Sequence, residues 1–312
     1  MAQQIAKVVH RSINGFSGAV ITGTIPAFPA PPTTQDSHQL RCLYLTSMVE
    51  SGGCYGSIMM ADGTGCTASL EQLVAVYPKD LKNQGSLFKL MARIQDHLPP
   101  VEASGEKLLI SKLLREKGWY VASDGTLRDT KTKNHVSPVD IRNEFTPTNG
   151  VVPPKGPEWE KCRSWALAFH ELFTHPGTFD LQKEYGLEQM HLYADSVKPR
   201  GMSTIQECVY HGKYEDANPF GDLWTTDLAM AMFWNYKVNA PSKAKEFLGK
   251  ATAKYYSRDP KFGPYFLSLI RSTKYAKWST NRYDRSREYA MKVWPANLFF
   301  GPDAIMPKRA GS

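Results

Sequence analysis

The chain has no run of 18 apolar residues in its 312, so no segment reads as a membrane-spanning helix. Nor does it have a window poor enough in apolar residues to stay disordered, since 42% of its residues are apolar and 12% aromatic. Cysteine is sparse and odd in number: Cys42, Cys54, Cys66, Cys162 and Cys208. That excludes a disulfide scaffold and fits synthesis in a reducing cytosol. Cys54 and Cys66 either close a short loop or are buried thiols. There is no internal repeat and no heptad array. Walker A and Rossmann glycine patterns are missing, and "GTGCTAS" lacks the lysine a phosphate loop needs. No histidine is placed by spacing as a base for Cys54.

Metal spacing is also missing. In "HELFTH" the imidazoles of His170 and His175 are five residues apart, about 140° around a helix, whereas zinc needs them on one face. "EQMH" and "ECVYH" place Glu188 with His191 and Glu207 with Cys208 and His211 on helical faces. These are either intrahelical pairs or a convergent divalent site, and no metal and no cofactor is expected. At the N-terminus a basic "KVVHR" precedes an apolar stretch broken by Asn14, Gly15, Gly18, Thr22, Gly23 and Thr24, so it is not read as a leader peptide.

What the chain does have is a localised positive charge. Residues 250–312 hold 13 Lys and Arg against 4 Asp and Glu, while the remainder holds 25 against 26. The net charge of +8 therefore sits in the last fifth and points to an anionic partner there. Aromatics are interleaved with it: Tyr255, Tyr256, Tyr275, Trp278, Tyr283 and Trp294 among Lys274, Lys277, Arg282, Arg285 and Arg287. Residues 253–294 thus suit an anionic surface polymer or a nucleic acid, or form a helical subdomain with an aromatic core.

The pattern is α+β and predominantly helical. Residues 1–36 read as an extended, Pro-rich arm. A helix is expected through 37–50, stopped by Gly52 and Gly53. Two short β pieces surround the Asp62-Gly63 turn, and Ser69 with Gln72 suggests a cap for a helix over 70–78. Further helices are expected over 86–98 and 104–117, the latter leading into a hairpin as an inserted module. Residues 146–157 are a linker by composition and separate a lobe at 37–145 from a helical lobe at 158–312. In that second lobe 158–175, 222–238 and parts of 242–278 carry helical apolar spacing, broken at Asn239-Ala240-Pro241.

The most informative stretch is "YLTSMVESGGCYGSIMMADGTGCTAS", residues 44–69. Glu50 closes an apolar helix just before a glycine-rich loop. Burial and the negative end of a helix both disfavour a charged carboxylate, which suits an acid that must stay protonated. Glycosidic cleavage needs such an acid and a second polar group; Asp62 is the candidate, with Thr64 and Thr67 behind it.

Glu50-Ser51-Gly52 followed by Tyr55-Gly56-Ser57-Ile58-Met59 resembles the lysozyme superfamily, nearest to its lytic transglycosylase and goose-type branches. "DLAMAMFWNYKVNAPSKAKEFL", residues 227–248, is similar to a helix pair of phage-type peptidoglycan muramidases. The resemblance implies a lysozyme-like fold with a small hairpin at the cleft and Glu50 as general acid. It implies a cleft floor at Tyr55–Met60, with Ser51, Tyr55, Ser57 and Met59 on substrate and Asn239 as a further contact. The implied activity is a peptidoglycan-cleaving muramidase or lytic transglycosylase, a phage endolysin or virion-associated lysin. It would be made in the host cytoplasm and act on the cell wall or travel in a virion. The alternative is a non-catalytic nucleic-acid-binding or virion structural protein working through the basic C-terminal region.

Overall fold

A computed structural model describes residues 7–22, 25–26, 28, 30–32, 38–70, 72–77, 82–97, 108–195, 227–255, 259, 261–272 and 276–293. Its class is α+β, with helices predominating and short strands in small sheets. The chain forms two compact units. One comprises residues 1–27 and 54–185, the other residues 28–53 and 186–312.

The first unit is built on an antiparallel sheet. Strands β1 (Val9–Ile13) and β2 (Phe16–Ile21) form a hairpin, with Ile13 opposite Phe16 across a two-residue loop. That loop is Asn14-Gly15, with φ 52° and 86°, the left-handed pair that matches strand twist. A short ribbon pairs β3 (Ile25–Pro26) with β4 (Cys54–Tyr55). The main sheet runs β1-β2-β5-β6-β7, adding β5 (Ile58–Met59), β6 (Thr67–Ala68) and β7 (Leu73–Val74). The expected arm at 1–36 thus supplies two strands of the sheet. The helix expected over 70–78 does not form. Ser69 and Gln72 have φ of 73° and 54°, which a right-handed helix cannot contain, and β7 occupies the segment instead.

Helices α2 (Leu87–His97), α3 (Leu109–Lys117), α4 (Pro138–Phe145) and α5 (Pro157–Thr174) complete this unit, with α6 (Phe179–Asp195) as far as Tyr185. Helix α5 starts on Pro157 with Glu158 and Glu160 in its first turn, where a helix favours proline and negative charge. It packs on β2 and β5 and against α3 and α4. Its buried face of Cys162, Trp165, Phe169, Leu172 and Phe173 meets Ile21, Ile58, Met60, Phe88 and Phe145 in one core. The hairpin of β8 (Trp119–Val121) and β9 (Leu127–Asp129) is tied to this unit by Gln84, whose amide donates to the carbonyls of Leu127 and Val136 at 2.8 Å each.

The composition-based boundary at 146–157 lies inside this unit. The Val152 carbonyl accepts from Ser17 Oγ at 2.7 Å and from His10 Nε2 at 2.8 Å, and the Val152 N–H donates to the Ser17 carbonyl. Pro and Gly there shape a bonded turn rather than a linker.

A buried carboxylate ties three helices together. Glu144 Oε2 lies 2.7 Å from Lys117 Nζ and 2.6 Å from Lys161 Nζ, and its Oε1 accepts from Trp165 Nε1 at 3.2 Å. Both lysines keep roughly a third of their side chains in water, so losing the carboxylate leaves them hydrated rather than stranded. Glu144→Ala is therefore expected to cost about 2 kcal/mol, below the usual range for breaking a fully buried pair. Chemical denaturation checks this, with Glu144→Gln recovering the part carried by the indole bond.

The second unit is helical, and its centre is α7 (Asp227–Asn239). Ala229 through Tyr236 are all buried, so this helix is enclosed around its whole circumference, with Asn235 its one polar side chain in that stretch. Helices α1 (His38–Glu50), α8 (Pro241–Lys254), α9 (Phe262–Arg271) and α10 (Ala276–Val293) surround it. The break expected at Asn239-Ala240-Pro241 divides α7 from α8. Asn235 Nδ2 donates to the Ala231 carbonyl at 2.9 Å and lies 3.4 Å from Thr46 Oγ1 of α1. No described helix is long and apolar enough to cross a membrane.

Candidate functional site

Glu50 is the last residue of α1, in the second unit. Residues Arg41 to Ser47 are all buried, and so is Val49, so α1 leaves little of its surface to water. Its end is closed by backbone bonds from Ser51 N and Gly53 N to the Ser47 carbonyl at 2.8 and 2.9 Å. Ser51 Oγ adds a bond to that same carbonyl at 3.0 Å. Gly52 and Gly53 then turn the chain with φ of 70° and 73°.

The Glu50 side chain is 8% exposed, and its Oε1 lies 2.7 Å from Arg282 Nη1 of α10. The same Nη1 lies 3.4 Å from the Val49 carbonyl. Opposing influences therefore act on the carboxyl. Burial and the helix C-terminus disfavour its charged form, and the guanidinium favours it. Only the first two follow from the local sequence.

In the first unit, Asp62, Thr64 and Thr67 form a closed cluster on the β5–β6 connection. Asp62 Oδ1 accepts from the Thr64 N–H at 2.8 Å and from Thr64 Oγ1 at 2.5 Å. Thr67 Oγ1 donates to Asp62 Oδ2, and the two threonine oxygens are 3.0 Å apart. With both hydroxyl protons directed at Asp62, the carboxylate acts as the acceptor at the hub of the turn. Its lone pairs are largely engaged, so it orients the two hydroxyls rather than activating a water itself. Cys66 is buried in the same loop. Burial, then the Asp62 and Cys162 charges, push its thiol well up. Cys162 lies on α5, and burial pushes its thiol up to about 11. Cys54 and Cys66 form no disulfide.

The residues expected to line a floor are mostly engaged inside the protein. Tyr55 is 1% exposed, stacks on Phe179 at 4.5 Å, and donates its hydroxyl to the Phe179 carbonyl at 2.7 Å. Ser51 and Ser57 are buried, and Met59, half-buried, pairs with Val20 and Thr67 in the sheet. Gly56 has φ 65° and lies so close to α5 that a Cβ there would stand 2.4 Å from Thr174 and 2.7 Å from His170. His170 Nδ1 donates to the Gly56 carbonyl at 2.8 Å. Asn239 ends α7, but its side chain lies outside the described residues.

The three "HELFTH" groups perform separate backbone tasks. Besides His170, Glu171 accepts from the Leu109 N–H at 2.6 Å and His175 Nδ1 accepts from the Gly177 N–H at 3.3 Å. Glu207, Cys208 and His211 lie outside the described residues, as does the side chain of His191.

The basic C-terminal region is partly internal. Tyr283 is 4% exposed, Arg282 meets Glu50, and Lys292 meets Glu288 at 2.8 Å. Tyr255 packs edge-on to Tyr265 at 5.4 Å, with Lys254 over both rings. Arg285 is exposed. Tyr256, Lys274, Tyr275 and Trp294 lie outside the described residues, and so do the side chains of Lys277, Trp278 and Arg287.

The chain matches no protein-family model, no curated protein and no solved structure.

Proposed function

We propose that the protein cleaves glycosidic bonds of bacterial peptidoglycan in the manner of the lysozyme superfamily, with Glu50 as the proton donor. The observation that carries this reading is the seating of Glu50. A carboxyl group 8% exposed is fixed at the end of a helix that is itself almost wholly buried. A general acid needs that combination: a rigid mount, exclusion of water, and neighbours that control the proton.

The reaction class is a muramidase or lytic transglycosylase, of the kind a phage uses as an endolysin or virion lysin. No cofactor takes part. Purified cell walls incubated with the protein should lose turbidity and release either reducing ends or anhydro-sugar ends. Walls that keep their turbidity and release neither would end the reading.

One observation favours a second reading. The Glu50–Arg282 pair is also what a structural strut between α1 and α10 requires. On that reading the protein is a non-catalytic virion component. Arg282, half-buried against Glu50, and the buried Tyr283 are engaged within the second unit.

A further inference from the structure

The positive charge of the second unit is densest from the end of α7 through α9. Residues 237–271 hold eight Lys and Arg against two Asp and Glu, a net +6 in 35 residues. Those two carboxylates are already engaged. Glu246 is shared by Lys243 at 2.6 Å and Lys250 at 2.7 Å. Asp259 accepts from the Lys261 backbone N–H at 2.8 Å. Lys254 and Lys261 are both exposed, and among the described residues no carboxylate pairs with either side chain. Such a surplus attracts a polyanion from solution.

The cations are arranged in a row. Lys243, Lys250 and Lys254 fall at i, i+7 and i+11 of α8, within about 40° of one another around the helix and along about 16 Å of its length. They border the buried face of Ala244, Phe247, Leu248 and Ala251, which fixes α8 to its unit. At the C-terminal end the row meets two aromatic rings. Lys254 Nζ lies 4.3 Å from the centre of the Tyr265 ring and 5.4 Å from that of Tyr255. The rings stand edge-on to each other at 5.4 Å, and both are half-buried. With no anion beside it, Lys254 rests on the ring faces instead. It is exposed, so it can swing to an arriving phosphate and leave those faces to a base. Arg282 and Tyr283, farther along the basic region, are engaged inside the unit, whereas this row and its rings reach the surface.

We propose that α8 and the first turn of α9 bind single-stranded nucleic acid, with Lys243, Lys250 and Lys254 on phosphates and Tyr255 and Tyr265 stacking bases. The juxtaposition of cations and rings favours this occupant over a polymer of bare charge, which would use the lysines and leave the tyrosines idle. The binding is a further function and does not rest on the glycosidase reading.

The test is fluorescence anisotropy of a labelled oligothymidylate with the full chain over a salt series. Three phosphate contacts on a single strand give a slope of log affinity against log salt of about −2. Lys254→Gln should weaken binding about fivefold to tenfold and make the slope shallower by about 0.7, and Lys254→Arg should restore both. Tyr255→Leu should weaken binding by about fivefold or more and leave the slope unchanged, because stacking releases no counterion. Inorganic polyphosphate of matched charge should compete at least about tenfold less well than unlabelled oligothymidylate. Lys254 is exposed, so its substitution leaves the core intact and keeps the test valid if the tyrosine variant fails to fold. No binding by the wild type, affinity that ignores salt, or affinity within twofold of the wild type in Lys254→Gln overturns the proposal. Equal competition by polyphosphate also overturns it, and identifies the row as a surface for bare polyanions such as wall phosphate chains.

Discussion

Glu50→Gln should slow the clearing of cell walls by about 10²- to 10⁴-fold, the usual contribution of a general acid. Glutamine keeps the size and shape of the side chain, so packing around the end of α1 changes little. It retains an oxygen to accept from Arg282, at 2.7 Å in the wild type, but it cannot release a proton to a leaving oxygen. The loss should therefore appear in kcat more than in KM, because the interaction removed is made only in the transition state. Glycan binding should survive, which distinguishes a lost proton donor from a collapsed fold. A rate within twofold of the wild type eliminates Glu50 as the acid, whatever else the protein does. Thermal unfolding must be measured alongside, since the neutral amide removes the charge 2.7 Å from Arg282 and some stability will be lost.

How much of this was legible in the sequence differs from element to element. Amphipathic and apolar spacing located α1, α2, α5 and α7, and Asn239-Ala240-Pro241 marked a true helix break. The β1–β2 hairpin lies in a Pro-rich stretch whose composition suggests an arm, although Asn14-Gly15 between extended segments is a strong hairpin signal. Helix α4 is too short to show a clear apolar period, although Ser137-Pro138 opens it and Ser137 Oγ accepts from the Asp140 N–H. The segment at 70–78 misled because Ser69 and Gln72 mimic a capping box; their left-handed backbone could not be inferred from residue type. At the site, the local chemistry of Asp62, Thr64 and Thr67 was readable because they lie within six residues. The partner of Glu50 was not, because Arg282 is separated from it by 232 positions. No local rule pairs residues that far apart; only packing of α10 against α1 does so.

Arg282→Met is the second decisive substitution, and its effects separate the two functional readings. Arg282 is 18% exposed and its partner 8%, so the pair is largely withdrawn from water. Removing one member of such a pair typically costs about 3 kcal/mol, and methionine fills much of the vacated volume. Both readings predict this loss of stability, measured by denaturant unfolding. They diverge in the pH dependence of the rate. A general acid works only while protonated, so its rate falls as pH rises through the range in which it loses its proton. The guanidinium favours the anion; once it is gone, burial and the end of α1 meet less opposition and hold the proton to higher pH. If Glu50 is the acid, the alkaline limb of the kcat/KM profile must move upward in Arg282→Met, and Arg282→Lys must restore most of the original position. A limb that moves downward, or that stays fixed while stability falls, removes Glu50 from the chemistry and leaves the pair as a strut. The double variant Glu50→Gln with Arg282→Met adds an independent check on the pair itself. Its stability loss should be smaller than the sum of the two single losses, because both substitutions break the same ion pair.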